Sequence, residues 1–283
     1  MKRVAFQGEL GAYSELATYE YFGNDVTVVP KETFGEIFAA VSSGKVEHGI
    51  IPIENSLAGS IHENYDLLLE HDLVITGEIK LLISHHLLAN SGASIDGIRR
   101  VLSHPQALSQ CKQYLKTLRR VELMSVYDTA GAARSVKESG SLTDAAIASE
   151  QAASDYGLEV LASGIESNHL NYTRFLIISR ELEPPAEDTK TSIVFSAKNI
   201  PGALFKSLSV FALRDIDLYK IESRPLPGSP WEYMFYLDFN GDIRDEAIQK
   251  AIAHLGEIAK TLKFLGSYPK GRDATGRVQE RHE

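Results

Sequence analysis

Arg3-Val4-Ala5-Phe6-Gln7-Gly8-Glu9-Leu10-Gly11-Ala12-Tyr13-Ser14 reads as a short apolar strand, a turn with two glycines and the start of a helix. The same alternation continues along the chain. Residues 26–29 form a strand and 34–41 a helix; 49–53 form a buried strand and 61–69 a helix. Residues 74–88 are a longer apolar run with no helical period. The alternation then restarts: strand 98–103, helix 105–118, strand 121–126, helix 129–138, strand 145–149, helix 150–156 and strand 158–162. Strand–helix alternation predicts parallel sheet with helices on both faces. Two blocks, near 1–76 and 77–162, read as lobes, and 163–180, with a strand at 172–179, returns to the first. Ligands of open α/β sheets bind beyond the carboxyl ends of strands, so the expected site is a cleft between the lobes.

The composition shifts at Glu181-Leu182-Glu183-Pro184-Pro185-Ala186-Glu187-Asp188, an acidic stretch with a proline pair that sets a linker over 181–190. Residues 191–269 then read strand, helix, two strands, helix, strand. This βαββαβ order is ferredoxin-like. Residues 270–283 are charged and aperiodic, which predicts a disordered tail.

The 283 residues include 29 basic and 38 acidic ones, a formal net charge of −9. That balance argues against nucleic acid as a partner, which needs a basic face. No window approaches the ~18 apolar residues of a membrane span. The start turns polar too early for a signal peptide, so a cytoplasmic location is expected. A single cysteine, Cys111, excludes an intrachain disulfide framework and reads as a small buried hydrophobe. Adjacent His85 and His86 face opposite ways on a strand, and no HExxH spacing occurs, so no metal is expected. No cofactor fingerprint is present: the 8–14 turn lacks the third glycine of a dinucleotide loop.

Polar residues collect where strands end. Ser14 follows the first turn and reads as a helix cap or a ligand contact. Pro52-Ile53-Glu54-Asn55-Ser56 closes a buried strand, and alternation points Glu54 away from Asn55. Ser103-His104-Pro105-Gln106 ends another strand and opens a helix whose free N–H groups suit an anion, with Gln106 and Gln110 on one face. Asp128 reads as the cap of the helix after it, and Thr129 is placed to face the cleft. Asn171-Tyr172-Thr173-Arg174-Phe175 is the richest polar stretch. On a regular strand Thr173 and Phe175 share one face and Arg174 takes the other, which leaves Arg174 either an ion-pair residue or a substrate clamp.

Together these motifs resemble the prephenate dehydratase family, over nearly the whole chain to about residue 268. Gly11-Ala12-Tyr13-Ser14-Glu15, Pro52–Ser56, Ser103–Gln106 and above all Asn171–Phe175 carry the resemblance. It implies a carbon–oxygen lyase that converts prephenate to phenylpyruvate for L-phenylalanine biosynthesis. It also implies two periplasmic-binding-protein-like lobes and a C-terminal ACT domain. Catalytic roles would fall on Thr173, Asn55, Ser103 and Gln110, and substrate contacts on Ser14, Arg174, Phe175 and Gln106. Asn199-Ile200-Pro201-Gly202-Ala203-Leu204 and Glu222-Ser223-Arg224-Pro225 match the family's two phenylalanine-binding motifs. The effector contacts would therefore be Asn199, Pro201, Gly202, Ala203, Leu204, Glu222, Ser223 and Arg224, at a subunit interface of a homodimer or homotetramer. The chain opens on the dehydratase strand, so the chorismate mutase bundle of some members is not expected. Arogenate dehydratase, whose substrate carries an amino group, and a non-catalytic amino-acid sensor are the alternative readings.

Overall fold

A computed structural model describes residues 1–184, 187–198, 200–226, 229 and 231–276. The chain divides into two compact units. One comprises residues 1–65, 79–176 and the C-terminal segment from 272; the other comprises 66–78 and 177–271.

The first unit is built on two sheets. The strands of one lie in the order Arg272–Ala274, Val74–Leu82, Tyr172–Ser179, His48–Asn55, Lys2–Gln7, Val26–Lys31, with the short Gly59–Ser60 on His48–Asn55. Lys2–Gln7 is parallel to both of its neighbours. Helix Tyr13–Phe22 covers it through Leu16 and Ala17, which join Val4, Phe6, Ile50, Ile79 and Phe175 in one apolar cluster. The other sheet runs Glu159–Ala162, His86–Ala89, Asp144–Ala148, Arg100–Ser103, Glu122–Ser125. The pairs made by Arg100–Ser103 are parallel, but His86–Ala89 lies antiparallel to both its neighbours.

That second sheet corrects the expectation of purely parallel pairing. The 74–88 run is two strands, Val74–Leu82 and His86–Ala89, separated by three residues. A parallel return needs a crossover of a dozen residues or so, usually helical, and three residues cannot supply it. The chain instead passes from one sheet directly into the other.

The second unit contains the expected βαββαβ order. Its strands lie as Leu218–Pro225, Tyr233–Asn240, Thr189–Ala197, Ala259–Pro269, all antiparallel. Helices Ala203–Ala212 and Glu246–Ile258 pack on this sheet through Val210, Phe211, Ile248 and Leu255. Residues 66–78 also belong to this unit rather than to a lobe ending near 76. A buried ion cluster ties them in: Lys190 donates to Glu78 and lies 3.7 Å from Asp238.

The charged C-terminal stretch is not disordered from 270. Arg272–Ala274 is a strand parallel to residues 79–81, with Ala274 in the core and Asp273 3.8 Å from Lys80. One buried alanine among charges is too short a pattern to show a period. Pro185 and Ala186 of the expected linker, and residues 277–283, lie outside the described residues.

Candidate active site

A cavity of about 360 Å³ opens in the first unit, within the size range of a small-molecule site. One wall comes from strand ends: Gln7 at the end of the first strand and Gly8 after it, Asn55 at the end of His48–Asn55, and Thr173 with Phe175 at the start of Tyr172–Ser179. The facing wall comes from the other lobe: Gln106 and Gln110 on helix Pro105–Gln110 with His104 just before it, and Tyr127, Asp128 and Thr129 at the start of helix Thr129–Ser139. Among the described residues lining it there is no lysine or arginine.

The hydrogen bonds of this wall have a fixed polarity. Asn55 Oδ1 accepts the backbone N–H groups of Leu57 (3.1 Å) and Ala58 (2.9 Å), so its amide nitrogen faces the other way. That nitrogen donates to Asn171 Oδ1 at 2.8 Å and to Thr173 Oγ1 at 3.0 Å. Asn171 Nδ2 in turn donates to Gln110 Oε1 at 3.1 Å. His85 Nε2 lies 2.9 Å from the same oxygen, which only accepts, so the imidazole carries its proton on Nε2. His85 Nδ1 then faces the Tyr13 hydroxyl at 2.8 Å, which also reaches Ser84 O at 2.6 Å. The chain of bonds has two consequences at the cavity. Thr173 receives a hydrogen bond on oxygen and keeps its own proton to give. Gln110 has its oxygen occupied and its NH₂ left to donate.

Burial, above all, lowers the His85 pKa below its usual 6.5, against the opposing pull of Gln110 and Glu166. Burial also raises the Tyr13 hydroxyl well above its usual value. His104 caps its helix by accepting Gln106 N–H on Nδ1 at 3.2 Å. Helix Tyr13–Phe22 starts at Ala12 with no side-chain cap, so Ser14 does not cap it but lines the cavity at the second helical position. The turn before it is held down by Ser149 Oγ on Gly11 O (2.6 Å) and Tyr156 OH on Leu10 O (2.9 Å).

Six of the eight residues expected at the site meet here: Thr173, Asn55, Gln110, Ser14, Phe175 and Gln106. Ser103 does not. It is fully buried, and its hydroxyl donates to Ile147 O on the neighbouring strand at 2.6 Å. Arg174 does not either; it points to the opposite face with its guanidinium 3.8 Å from Glu54, as strand alternation requires. Cys111 is buried and its thiol is pushed up to about 12 by burial. Tyr13, His85 and Asn171 are the residues sequence reasoning left out. The alternation of His85 with His86 was visible, but nothing local marks a histidine that will meet a glutamine 25 residues away. Among the described residues no group of three or more His, Cys, Asp or Glu could hold a metal ion.

In the second unit, Gly202 starts helix Ala203–Ala212 with φ 75° and no side-chain cap. Pro201, Ala203 and Leu204 surround it in sequence; Asn199 lies outside the described residues. Glu222 and Arg224 share one face of an edge strand and Ser223 takes the other. Arg224 is already bidentate to Asp66, with Nη2 at 2.7 Å, and Glu222 lies 3.7 Å from Lys220.

Two lobes around a cavity whose apolar lining carries a few hydrogen-bonding side chains, with a ferredoxin-like ACT module after them, define a small-molecule enzyme with an appended regulatory fold. The prephenate dehydratase family model matches residues 4–183, and the chain belongs to that family. It is 50% identical over 278 residues to the arogenate dehydratase/prephenate dehydratase 2 of Arabidopsis thaliana, spanning 94% of this chain and 72% of the relative. A prephenate dehydratase from Arthrobacter aurescens, solved in complex with L-Phe, is 31% identical with a TM-score of 0.87, over 95% of this chain and 90% of that one. A structure described as GqqA, a novel type of quorum quenching acylase, is 36% identical with the same TM-score, over 95% and 98% of the two chains. No described helix is long and apolar enough to cross a membrane.

Proposed function

We propose that this chain is a carbon–oxygen lyase that turns prephenate into phenylpyruvate, carbon dioxide and water. The observation that carries the reading is the Thr173 hydroxyl, whose lone pair is occupied by Asn55 so that its proton is presented to the cavity. In the reaction the bond from ring carbon to carboxylate breaks and its electron pair moves through the ring. The ring becomes aromatic, and the C–O bond to the ring hydroxyl breaks. The departing hydroxide takes one proton and leaves as water. Thr173 hydrogen-bonds that oxygen as negative charge develops on it, and solvent makes good the proton. A cavity without lysine or arginine leaves the departing carboxylate free of a cation that would hold its electron pair. The uncapped start of helix Tyr13–Phe22 offers backbone N–H groups to the side-chain carboxylate. No step calls for a cofactor or metal, so chelator-treated protein is expected to keep its rate.

The acylase name of one relative suggests amide hydrolysis, which needs a nucleophile in hydrogen-bond reach of a base. Among the described hydrogen bonds, the cavity serine Ser14 makes none with a histidine, and the Tyr13 hydroxyl beside His85 is held protonated by burial, so neither is an activated nucleophile. This favours the lyase reading.

The test is prephenate turnover by the purified protein and its Thr173 variants. Thr173→Val keeps the shape and removes the hydroxyl; kcat should fall by ~10²–10⁴, with KM little changed. Thr173→Ser should retain much of the rate. Equal losses in the two variants would mean that packing rather than the hydroxyl matters, and a parent protein that turned over neither prephenate nor its amino counterpart arogenate would end the dehydratase reading.

A further inference from the structure

Asp128 is the one carboxylate among the described residues lining the cavity. Its Oδ1 accepts the Gly131 N–H and its Oδ2 the Glu9 N–H at 3.1 Å. A carboxylate offers about four acceptor positions, so roughly half remain. The nearest other charges cancel: Glu9 is paired with Arg134 at 2.9 Å, and no lysine or arginine lines the wall beside Asp128. The helix N-terminus it caps offsets part of the charge but not all of it. Burial raises its pKa and outweighs the two backbone hydrogen bonds and the more distant Arg134, which pull it down.

Two substrates present the same reacting ring. Both carry a ring carboxylate, a ring hydroxyl and a side-chain carboxylate. Prephenate has a keto oxygen on the side chain, which can only accept hydrogen bonds; arogenate has an ammonium there, with three donors and a positive charge. A keto oxygen and two carboxylates find no partner in Asp128. An ammonium does.

We infer that Asp128 is a specificity-determining residue that receives the side-chain ammonium, and that the amino substrate arogenate is favoured over prephenate. This rests on the dehydratase reading above. The measurement is kcat/KM on both substrates for the full chain, Asp128→Asn and Asp128→Ser. Asparagine and serine both cap helices, so each variant keeps the start of helix Thr129–Ser139, and the pair guards against a folding defect in either one. The parent protein should prefer arogenate. Loss of the charge should lower kcat/KM on arogenate by about 10–100-fold, the size of a hydrogen bond to a charged group, chiefly through KM. Activity on prephenate should fall by a much smaller factor. Equal losses on both substrates, or a parent preference for prephenate that the variants leave unmoved, would overturn the assignment. Turnover of neither substrate by the parent would instead defeat the dehydratase reading itself, and this inference with it.

Discussion

His104 shows how a single proton bears on this site. Its Nδ1 accepts the Gln106 N–H, so the neutral ring keeps its own proton on Nε2. Charging the ring adds a proton to Nδ1, which must then face another N–H, and the cap is lost. Burial lowers its pKa below 6.5, and the nearby Asp128 opposes this only in part. The unfolded chain therefore takes up this proton first as pH falls. The stability from this residue is complete above about pH 6.5 and is lost below it as pH drops toward the depressed folded value. His85, also depressed by burial, acts in the same direction. Thermal melts between pH 7.5 and 5 should show a falling Tm. His104→Asn, which caps without titrating, should show a shallower fall. A slope identical to the parent's would refute the role given to His104.

At the scale of elements, close approaches of backbone to backbone set the geometry. A Cβ on Gly11, whose φ is 88°, would lie 2.8 Å from Ala152 Cα, so only glycine allows the first turn to meet helix Glu150–Tyr156. In the second unit a Cβ on Gly266 would collide with the carbonyl oxygen of Ile75. Gly266→Ala should therefore destabilise by ~3 kcal/mol, read as a lowered denaturation midpoint, because two backbones have to separate. A midpoint unchanged from the parent's would show that the strands part at no cost. Much of this layer was legible in the sequence. Strand Tyr172–Ser179 and the βαββαβ order follow from alternation alone, and alternation also separated Thr173 from Arg174. Three features were not legible. Ser103 looks like a ligand group because a polar residue at a strand end has no local mark of its partner, here a carbonyl on the adjacent strand. His86–Ala89 reverses because a strand's direction depends on the link before it. Residues 66–78 join the second unit through Lys190, more than a hundred residues away.

For the whole molecule, that cluster means that the chain cannot be cut at its apparent linker without loss. A protein ending near Pro185 would lose Lys190, the partner of Glu78, and also strand Arg272–Ala274, whose Ala274 is buried in the core of the first unit. Loss of that strand pairing and of the packing over residues 66–78 exposes apolar surface that the parent buries, so the truncated chain should melt below the parent. Regulation is for that reason best tested in the full chain. The sequence motifs at 199–204 and 222–225 carry the expectation of phenylalanine as effector. Gly202 adopts φ 75° with open space where a side chain would be, which leaves the N–H groups at the start of helix Ala203–Ala212 accessible to an amino-acid carboxylate. Ile200 and Phe205, both exposed, flank it with apolar surface. Binding there moves turnover only if two states of the protein hold phenylalanine with different affinity. A coupling of ~1–3 kcal/mol corresponds to a change of ~5–150-fold in the affinity of one ligand caused by the other. Phenylalanine should therefore bind the full chain by calorimetry and shift its dehydratase kinetics. Gly202→Val fills the open space and strains a left-handed backbone by about 1–2 kcal/mol; it should fold, keep its basal rate and lose both binding and response. Binding at saturation with unchanged kinetics would reduce the ACT module to an assembly element and end the allosteric claim.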